Sequence, residues 1–166
     1  TAGNTLIMDG TSKTLTTAGN AIQNLTISGS ITLADQTHTV AGNLNMAGAT
    51  ITAGSSTVTM TGTSNNITGG GVTLNNLTID PSSAGTITLQ TSNLTVSGTL
   101  EVATSDTLSI NSSITLTHSG TTLTLNGTIS GAGRLTYRPS TAFPLSGTIS
   151  SILRFDTTAN NQTMSA

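Results

Sequence analysis

The chain has 166 residues, of which 38 are threonine, 21 serine, 18 glycine and 14 asparagine; only 6% are charged, 2% are aromatic, and the formal net charge is −2. Threonine is a poor helix former and favours strands, so this composition excludes a helical protein, and the low charge with many β-branched residues argues against disorder. Four basic residues are too few for a nucleic-acid phosphate track, no apolar run is long enough to span a membrane, and the absence of cysteine excludes disulfides and Cys-based metal sites.

A long repeat begins near the start of the chain. Residues 5–12 align with 57–64, and residues 22–27 align with 74–79, both at an offset of 52 and without a gap. A third copy is predicted to start at Phe155. Such self-similarity is typical of proteins built by stacking equivalent units.

The repeat pattern divides the chain into two predicted parts. Residues 1–131 are predicted to form the repeats, with copies starting near residues 5 and 57. Residues 132–166 contain all three aromatic residues together with Pro139 and Pro144, which cannot donate to a β-ladder. We therefore expect this stretch to be an irregular coil or cap, followed by the start of the third copy.

A shorter period is marked by the motif Asn-Leu-Thr/Asn-apolar, which recurs at four positions and in a looser version at Asn126. The spacings between successive occurrences are 19, 33, 17 and 33 residues, which suggest a unit of about 17 residues. One equivalent asparagine in each unit is predicted to form a ladder, with its amide bonding the units above and below. The members of this predicted ladder are Asn24, Asn43, Asn76, Asn93 and Asn126.

Within the units, aliphatic residues alternate with threonine and serine. Leu94 and Val96, then Leu108 and Ile110, are examples of an alternation that places apolar residues on one side of a short strand. Glycine, serine and asparagine separate these strands. The pattern predicts an all-β parallel β-helix, or β-solenoid, with coils of about 17 residues; the alternative is an antiparallel β-sandwich.

Several segments carry a resemblance to a known class of repeats. They are the two NLTI strands at Asn24 and Asn76 and the stretches 53–60, 93–100 and 131–137, the last running on to Phe155 and Asp156. They resemble the β-strand-repeat segments of large bacterial cell-surface and adhesin-like proteins, in the solenoid style of filamentous-haemagglutinin-type exoproteins. The resemblance implies a secreted or envelope-anchored array that acts as a stalk, fibre or adhesive surface, without catalytic residues.

The titratable residues give little support for chemistry. Six acids are scattered along the chain; Glu101 and Asp106 could approach each other, and Asp35 could share a turn with His38. His38 and His118 are expected to be lone histidines in polar turns, without partners at metal-ligand spacing. We therefore predict no catalytic residues, no metal site and no cofactor, and a protein that is not an enzyme.

Two sets of residues are candidate contact or modification sites. Aromatic and arginine residues dominate interface hot spots; the predicted interface cluster, which could instead plug the solenoid axis, is Arg134, Tyr137, Arg138, Phe143, Arg154 and Phe155. Asn-X-Ser/Thr sequons provide candidate glycosylation sites. They lie at Asn24, Asn66, Asn76, Asn93, Asn111, Asn126 and Asn161.

Six Thr-X-Thr triplets could form a flat face that orders water or binds ice. Their irregular spacing favours a simpler interpretation, in which threonine keeps the outward side of each strand polar. They begin at Thr14, Thr37, Thr57, Thr86, Thr115 and Thr122.

Together these observations predict a structural, non-catalytic building block of an extracellular or cell-surface fibre. Its partner would be itself, in a head-to-tail homopolymer, or the neighbouring repeats of one array, through open solenoid edges. Joining Ala166 of one chain to Thr1 of the next would continue the repeat rhythm. The alternative is an adhesin stalk module that binds surface glycans or another surface through a polar outer face and the few aromatic residues in 137–155, beginning with Tyr137. Nucleic-acid and membrane partners are not expected.

Overall fold

Alternating threonine and aliphatic residues form short parallel strands that wind into a triangular solenoid. The computed structural model describes residues 3–139, 142–144, 146–156 and 164–165. These residues contain strands, turns and bends but no helix, and hence no helix that could cross a membrane. The strands stack in about seven turns of roughly 20 residues. Successive turns place strands on three faces, in the order face 1, face 2, face 3, except that the first turn reaches face 3 only through an isolated bridge at Ile22.

Face 1 is one continuous sheet in which every pairing is parallel. Its inner column runs in register from Leu25 through Leu44 and Ile67 to Leu89. Its strands are β1 (Thr5–Met8), β3 (Asn24–Ile27), β6 (Leu44–Asn45), β9 (Ser64–Thr68), β12 (Thr86–Gln90), β15 (Thr107–Ile110), β18 (Thr128–Ser130) and β21 (Thr148–Ile149).

Face 2 consists of a three-stranded sheet followed by a five-stranded sheet, again with parallel pairing throughout. Leu94, Leu116, Leu135 and Leu153 form an inner column. Its strands are β2 (Thr11–Leu15), β4 (Ser30–Leu33), β7 (Thr50–Thr52), β10 (Thr73–Leu74), β13 (Leu94–Val96), β16 (Thr115–His118), β19 (Arg134–Tyr137) and β22 (Ile152–Phe155).

Face 3 consists of a five-stranded sheet and a terminal pair of strands. Val58, Leu77, Leu100 and Leu123 are an inner column here, and an isolated bridge from Ile22 to Val40 extends the face into the preceding turn. Its strands are β5 (Thr37–Val40), β8 (Thr57–Met60), β11 (Asn76–Ile79), β14 (Thr99–Val102), β17 (Thr122–Leu125), β20 (Phe143–Pro144) and β23 (Met164–Ser165).

The β-solenoid prediction is confirmed, and the parallel pairing excludes the antiparallel sandwich. The coil is longer than the sequence pattern suggested, because Leu25 pairs with Leu44 and Leu44 pairs with Ile67, and a turn contains roughly 20 residues. The physical reason is that a turn must build three strands and three corners. The short spacing between Asn76 and Asn93 spans only two of the three faces.

The 52-residue repeat does not coincide with a whole number of turns. Asn24 begins a strand on face 1, whereas the equivalent Asn76 begins a strand on face 3. The offset therefore corresponds to two turns and two further faces. The structure tolerates this rotation because all three faces have the same inward-aliphatic, outward-threonine design.

The stretch predicted as irregular continues the stack over its described residues. β19 pairs with β16 in register, and β22 pairs with β19. Proline occurs where the ladder permits it, at Pro139 in the corner after β19 and at Pro144 at the end of the two-residue strand β20. Residue 155 ends β22, and much of the predicted third repeat copy lies outside the described residues.

Close approach of the chain at the corners requires glycine at particular positions. A Cβ on Gly120 would overlap the carbonyl oxygen of Gly98, which occupies the same corner one turn earlier. Both glycines lie between face 2 and face 3. A side chain at Gly120 would force the two turns apart, so glycine here fixes the spacing of the stack.

Candidate functional sites

The aromatic residues of the predicted interface cluster lie mainly inside the solenoid. Tyr137 and Phe143 are fully buried, and their ring centroids are 4.8 Å apart in an edge-to-face arrangement. Phe155 packs edge-on against both rings, at 6.0 Å and 5.6 Å, and is 36% exposed. Tyr137 and Phe143 therefore fill the axis, and of the three rings only Phe155 presents a surface that a partner could reach.

The arginines of that cluster are on the surface and do not act as one group. Arg138 and Arg154 share Asp156, with N–O distances of 3.1 Å and 3.5 Å. Arg134 lies on β19 opposite Ile152 and is not part of the Asp156 ion pairs. All three partners of the Asp156 network are well exposed, so it stabilises the fold by less than about 1 kcal/mol.

Both histidines lie in the core, which corrects their expected position in polar turns. His38 is on β5, where its Nδ1 lies 3.4 Å from Thr17 Oγ1 and its Nε2 lies 3.1 Å from the Ala34 carbonyl oxygen. His118 ends β16 and is fully buried against the ring of Tyr137, and neither of its ring nitrogens has a hydrogen-bond partner among the described residues. Burial lowers the pKa of His118 to about 4.

The acidic residues occupy corners and outer faces. Asp106 is buried at the corner before β15 and accepts a hydrogen bond from the Gly85 N–H at 3.1 Å. Burial raises the pKa of the Asp106 carboxyl; the Gly85 hydrogen bond lowers it, and the charge of Asp80 raises it further. Asp35 accepts a hydrogen bond from the Ser55 N–H. Asp35 and Asp106 thus hold corners together by bonding to backbone amides.

Metal ligands do not converge in the part of the chain that the structure describes. No group of three or more histidine, aspartate or glutamate side chains there could hold an ion. Asp35 and Asp106 are committed to neighbouring turns through backbone hydrogen bonds.

The five asparagines of the predicted ladder occupy three different corners. Asn24, Asn43 and Asn126 precede strands of face 1 or begin them, Asn76 begins a strand of face 3, and Asn93 precedes a strand of face 2. A single ladder through all five is therefore not formed. Asn24 and Asn43 do stack, because the Asn43 N–H donates to Asn24 Oδ1 at 2.9 Å and the Asn66 N–H donates to Asn43 Oδ1 at 2.9 Å.

Asn76 and Asn93 make the same type of bond at their own corners. The Thr99 N–H donates to Asn76 Oδ1 and the Thr115 N–H donates to Asn93 Oδ1, both at 2.7 Å. Each amide thus clamps its own turn to the next. The shared sequence motif marks a local clamp that any corner can use.

Replacing Asn76 with alanine is expected to cost about 1–3 kcal/mol of unfolding free energy, because the Thr99 N–H loses its acceptor in a half-buried corner. The matched control is Asn126→Ala, because Asn126 is exposed and its side chain makes no hydrogen bond within the described residues. That control should change stability by less than about 0.5 kcal/mol. Urea unfolding followed by circular dichroism measures both, and equal losses would contradict the clamp.

The described sequons differ in exposure. Asn24, Asn66 and Asn76 are half-buried, and the Nδ2 groups of Asn24 and Asn76 donate to Gly3 O and Thr57 Oγ1 in the preceding turn. Three predicted sites are exposed, namely Asn93, Asn111 and Asn126. Asn161 lies outside the described residues.

The threonine triplets are distributed over all three faces. Those starting at Thr37, Thr57 and Thr122 lie on face 3, whereas Thr86 is on face 1 and Thr115 on face 2. Glu101 interrupts the best outward row of face 3, which runs Thr39, Thr59, Thr78, Glu101 and Thr124 in register. This distribution favours the simpler interpretation, in which threonine keeps the outward side of the strands polar.

A polar groove that the sequence analysis did not foresee lies along the edge between faces 3 and 1. It has a volume of about 540 Å³ and spans the first turns from Gly3 to Asn65. We call it the amide groove, after the side chains that line it: Gln23, Asn24, Asn43, Asn45 and Asn65. The signal was available in part, since Asn24, Asn43 and Asn45 each flank an aliphatic residue and the predicted ladder included Asn24 and Asn43. Nothing in the spacing indicated a groove between their turns.

Comparison with protein-family models, characterised proteins and solved structures found no match for this chain.

Proposed function

We propose that this chain is a structural, non-catalytic module of an extracellular surface fibre, in which another turn of the same fold stacks on its first turn. The observation that carries the proposal is the open edge of face 1. β1 pairs with β3 alone among the described strands, so within the described residues the backbone N–H and C=O groups of its other edge have no partner strand.

The side chains of this edge support the same role. Leu6 pairs with Leu25 in an inner column, yet Leu6 is 39% exposed whereas Leu25 is 2% exposed. A further turn would cover Leu6 as β1 covers Leu25. Burying an aliphatic side chain contributes roughly 1.5–3 kcal/mol.

Face 2 of the first turn has features that limit pairing. β2 contains a register shift between Thr11 and Lys13, Ser12 has a φ of 57°, and Lys13 is exposed. Bulges and lysines on edge strands discourage unwanted pairing. Stacking is therefore expected to begin at β1 on face 1, with Lys13 restricting which edges can join.

The chain is expected to associate end to end into rods of constant width, with lengths in multiples of about 35 Å, because about seven turns stack at the inter-strand spacing.

Leu6→Lys should weaken association at least about tenfold by placing a charge where the next turn would pack. The matched control is Ile7→Lys: Ile7 is on the same strand, pairs with outward Thr26 and should associate normally. Lys13→Thr should strengthen association.

Sedimentation velocity and negative-stain electron microscopy measure these effects. Monomers at every concentration, or equal losses in the two lysine variants, would contradict stacking between copies. A chain of two copies joined directly, Ala166 to Thr1, tests stacking within one array. A single rod of doubled length would support the module, and two separately tumbling rods would contradict it.

A further inference from the structure

The amide groove has the dimensions of a ligand site and an unusual lining. Small-molecule sites occupy roughly 300–1,000 Å³, and this groove of about 540 Å³ lies within that range. None of the residues that line it carries a charge. Its polar surface consists of asparagine and glutamine amides with the hydroxyls of Thr5 and Thr26.

Hydrogen bonds within the fold occupy the oxygen atoms of the central amides. Asn43 Oδ1 accepts from the Asn66 N–H at 2.9 Å, and Asn45 Oδ1 accepts from the Ala47 N–H at 3.0 Å. The Nδ2 groups of Asn43 and Asn45 make no hydrogen bond within the part of the chain described here. Both residues are exposed, so each offers two N–H donors to a ligand.

The spacing of these donors is fixed before a ligand arrives. Asn43 and Asn45 are two residues apart, so their side chains leave the same side of the strand about 7 Å from each other. The bonds from Asn66 and Ala47 hold each amide in one orientation. Groups that are already ordered lose little conformational entropy on binding, which favours affinity.

The floor of the groove depends on a glycine. A Cβ on Gly42 would overlap the Gln23 carbonyl oxygen and Asn24 Oδ1, and Gly42 itself is buried. Glycine there allows successive turns to approach closely beneath the amides. The groove is thus a feature of the backbone as well as of its side chains.

The chemistry of the lining selects a class of ligand. A charged ligand would find no counter-charge in the groove, and an apolar ligand would leave the amide donors unpaired, at a cost in free energy. A polyhydroxylated ligand supplies acceptor oxygens for Asn43 and Asn45 and hydroxyl donors for Thr5 and Thr26. We propose that the amide groove binds a neutral oligosaccharide, independently of the stacking role.

The test is an NMR titration of the full chain with maltohexaose, mannohexaose, xylohexaose and cellohexaose, with oligogalacturonate as the anionic comparison. At least one neutral sugar should shift the side-chain amide signals of Asn43 and Asn45. Asn45→Asp keeps the oxygen that accepts from Ala47 and removes the donor, so it should weaken binding about tenfold.

The matched control is Asn93→Asp. Asn93 is exposed and its Oδ1 accepts a backbone N–H in the same way, but it lies outside the groove, so this variant should bind like the original chain. The proposal is overturned if none of the four neutral sugars binds, if only oligogalacturonate binds, or if Asn93→Asp weakens binding as much as Asn45→Asp. Because the signals report the groove itself, these outcomes are distinct from those of the association experiments.

Discussion

Replacing Tyr137 with alanine is expected to lower the unfolding free energy by about 3–5 kcal/mol, the range for removing a large buried aromatic side chain. Tyr137 is fully buried and its ring contacts His118, Phe143 and Phe155, with centroid separations between 4.8 Å and 6.0 Å. No other side chain in the described turns joins three rings. Its loss should leave a cavity that the stacked backbone cannot close. Urea unfolding followed by circular dichroism measures the change.

The control is Tyr137→Phe, which keeps the ring and removes the hydroxyl that donates to the Ala142 carbonyl oxygen at 3.4 Å. Tyr137→Phe should lose less stability than Tyr137→Ala, because the ring and its contacts with the neighbouring rings remain. A loss in Tyr137→Ala no greater than that in Tyr137→Phe would show that the ring is not a core element. If Tyr137→Ala still binds glycan, binding in the amide groove does not depend on the aromatic residues.

The placement of Tyr137 shows what the sequence could and could not predict. Leu135 and Tyr137 lie on one side of β19, in register with Leu116 and His118 of the preceding turn. The cluster of prolines and aromatics around them suggested a break, because proline weakens a ladder. The structure instead places Pro139 in a corner and uses the aromatics to fill the axis near the last described turns. Sequence alone does not give the width of the space that a side chain must fill.

The histidines carried a signal that the alternation could have revealed. His118 follows Leu116 by two residues, with Thr117 between them on the outward side, so the same period that buries Leu116 also buries His118. The polarity of histidine argued for a turn instead. His38 follows the same pattern between Thr37 and Thr39. Periodicity was the better guide in both cases, because the pleat fixes the direction of a side chain whatever its chemistry.

The period itself was misjudged because one motif serves several corners. Asn24 and Asn43 are one full turn apart, whereas Asn76 and Asn93 are separated by two of the three faces. The two spacings are similar in length, yet they measure different paths around the solenoid. The amide groove was hidden for the same reason, because it forms only when the correct turns are stacked.

The buried His118 connects this core to pH. Its ring lies in the inner column of face 2, between Val96 and Tyr137, and neither nitrogen has a hydrogen-bond partner in the turns that the structure describes. Burial disfavours the charged form and lowers the pKa to about 4, whereas the unfolded chain titrates near the ordinary value of 6.5. Between those values the unfolded state binds the proton and the folded state does not. The titration of His118 therefore leaves the unfolding free energy unchanged above about pH 6.5 and lowers it as the pH falls towards 4.

His118 alone is expected to reduce the unfolding free energy by about 3 kcal/mol between pH 7 and pH 4. The raised pKa of Asp106 has the opposite effect, because the folded state then binds a proton more readily than the unfolded state and gains stability in acid. The effect of His118 is therefore isolated by comparing the original chain with a variant that lacks this histidine. His118→Leu replaces the imidazole with an apolar side chain of similar size and removes two buried ring nitrogens that have no partner among the described residues, so the variant should be more stable and lose less stability on acidification. Urea unfolding of both chains at pH 7.5, 6.5, 5.5 and 4.5 gives the two slopes. Parallel slopes would show that this histidine is not the group through which acid destabilises the solenoid.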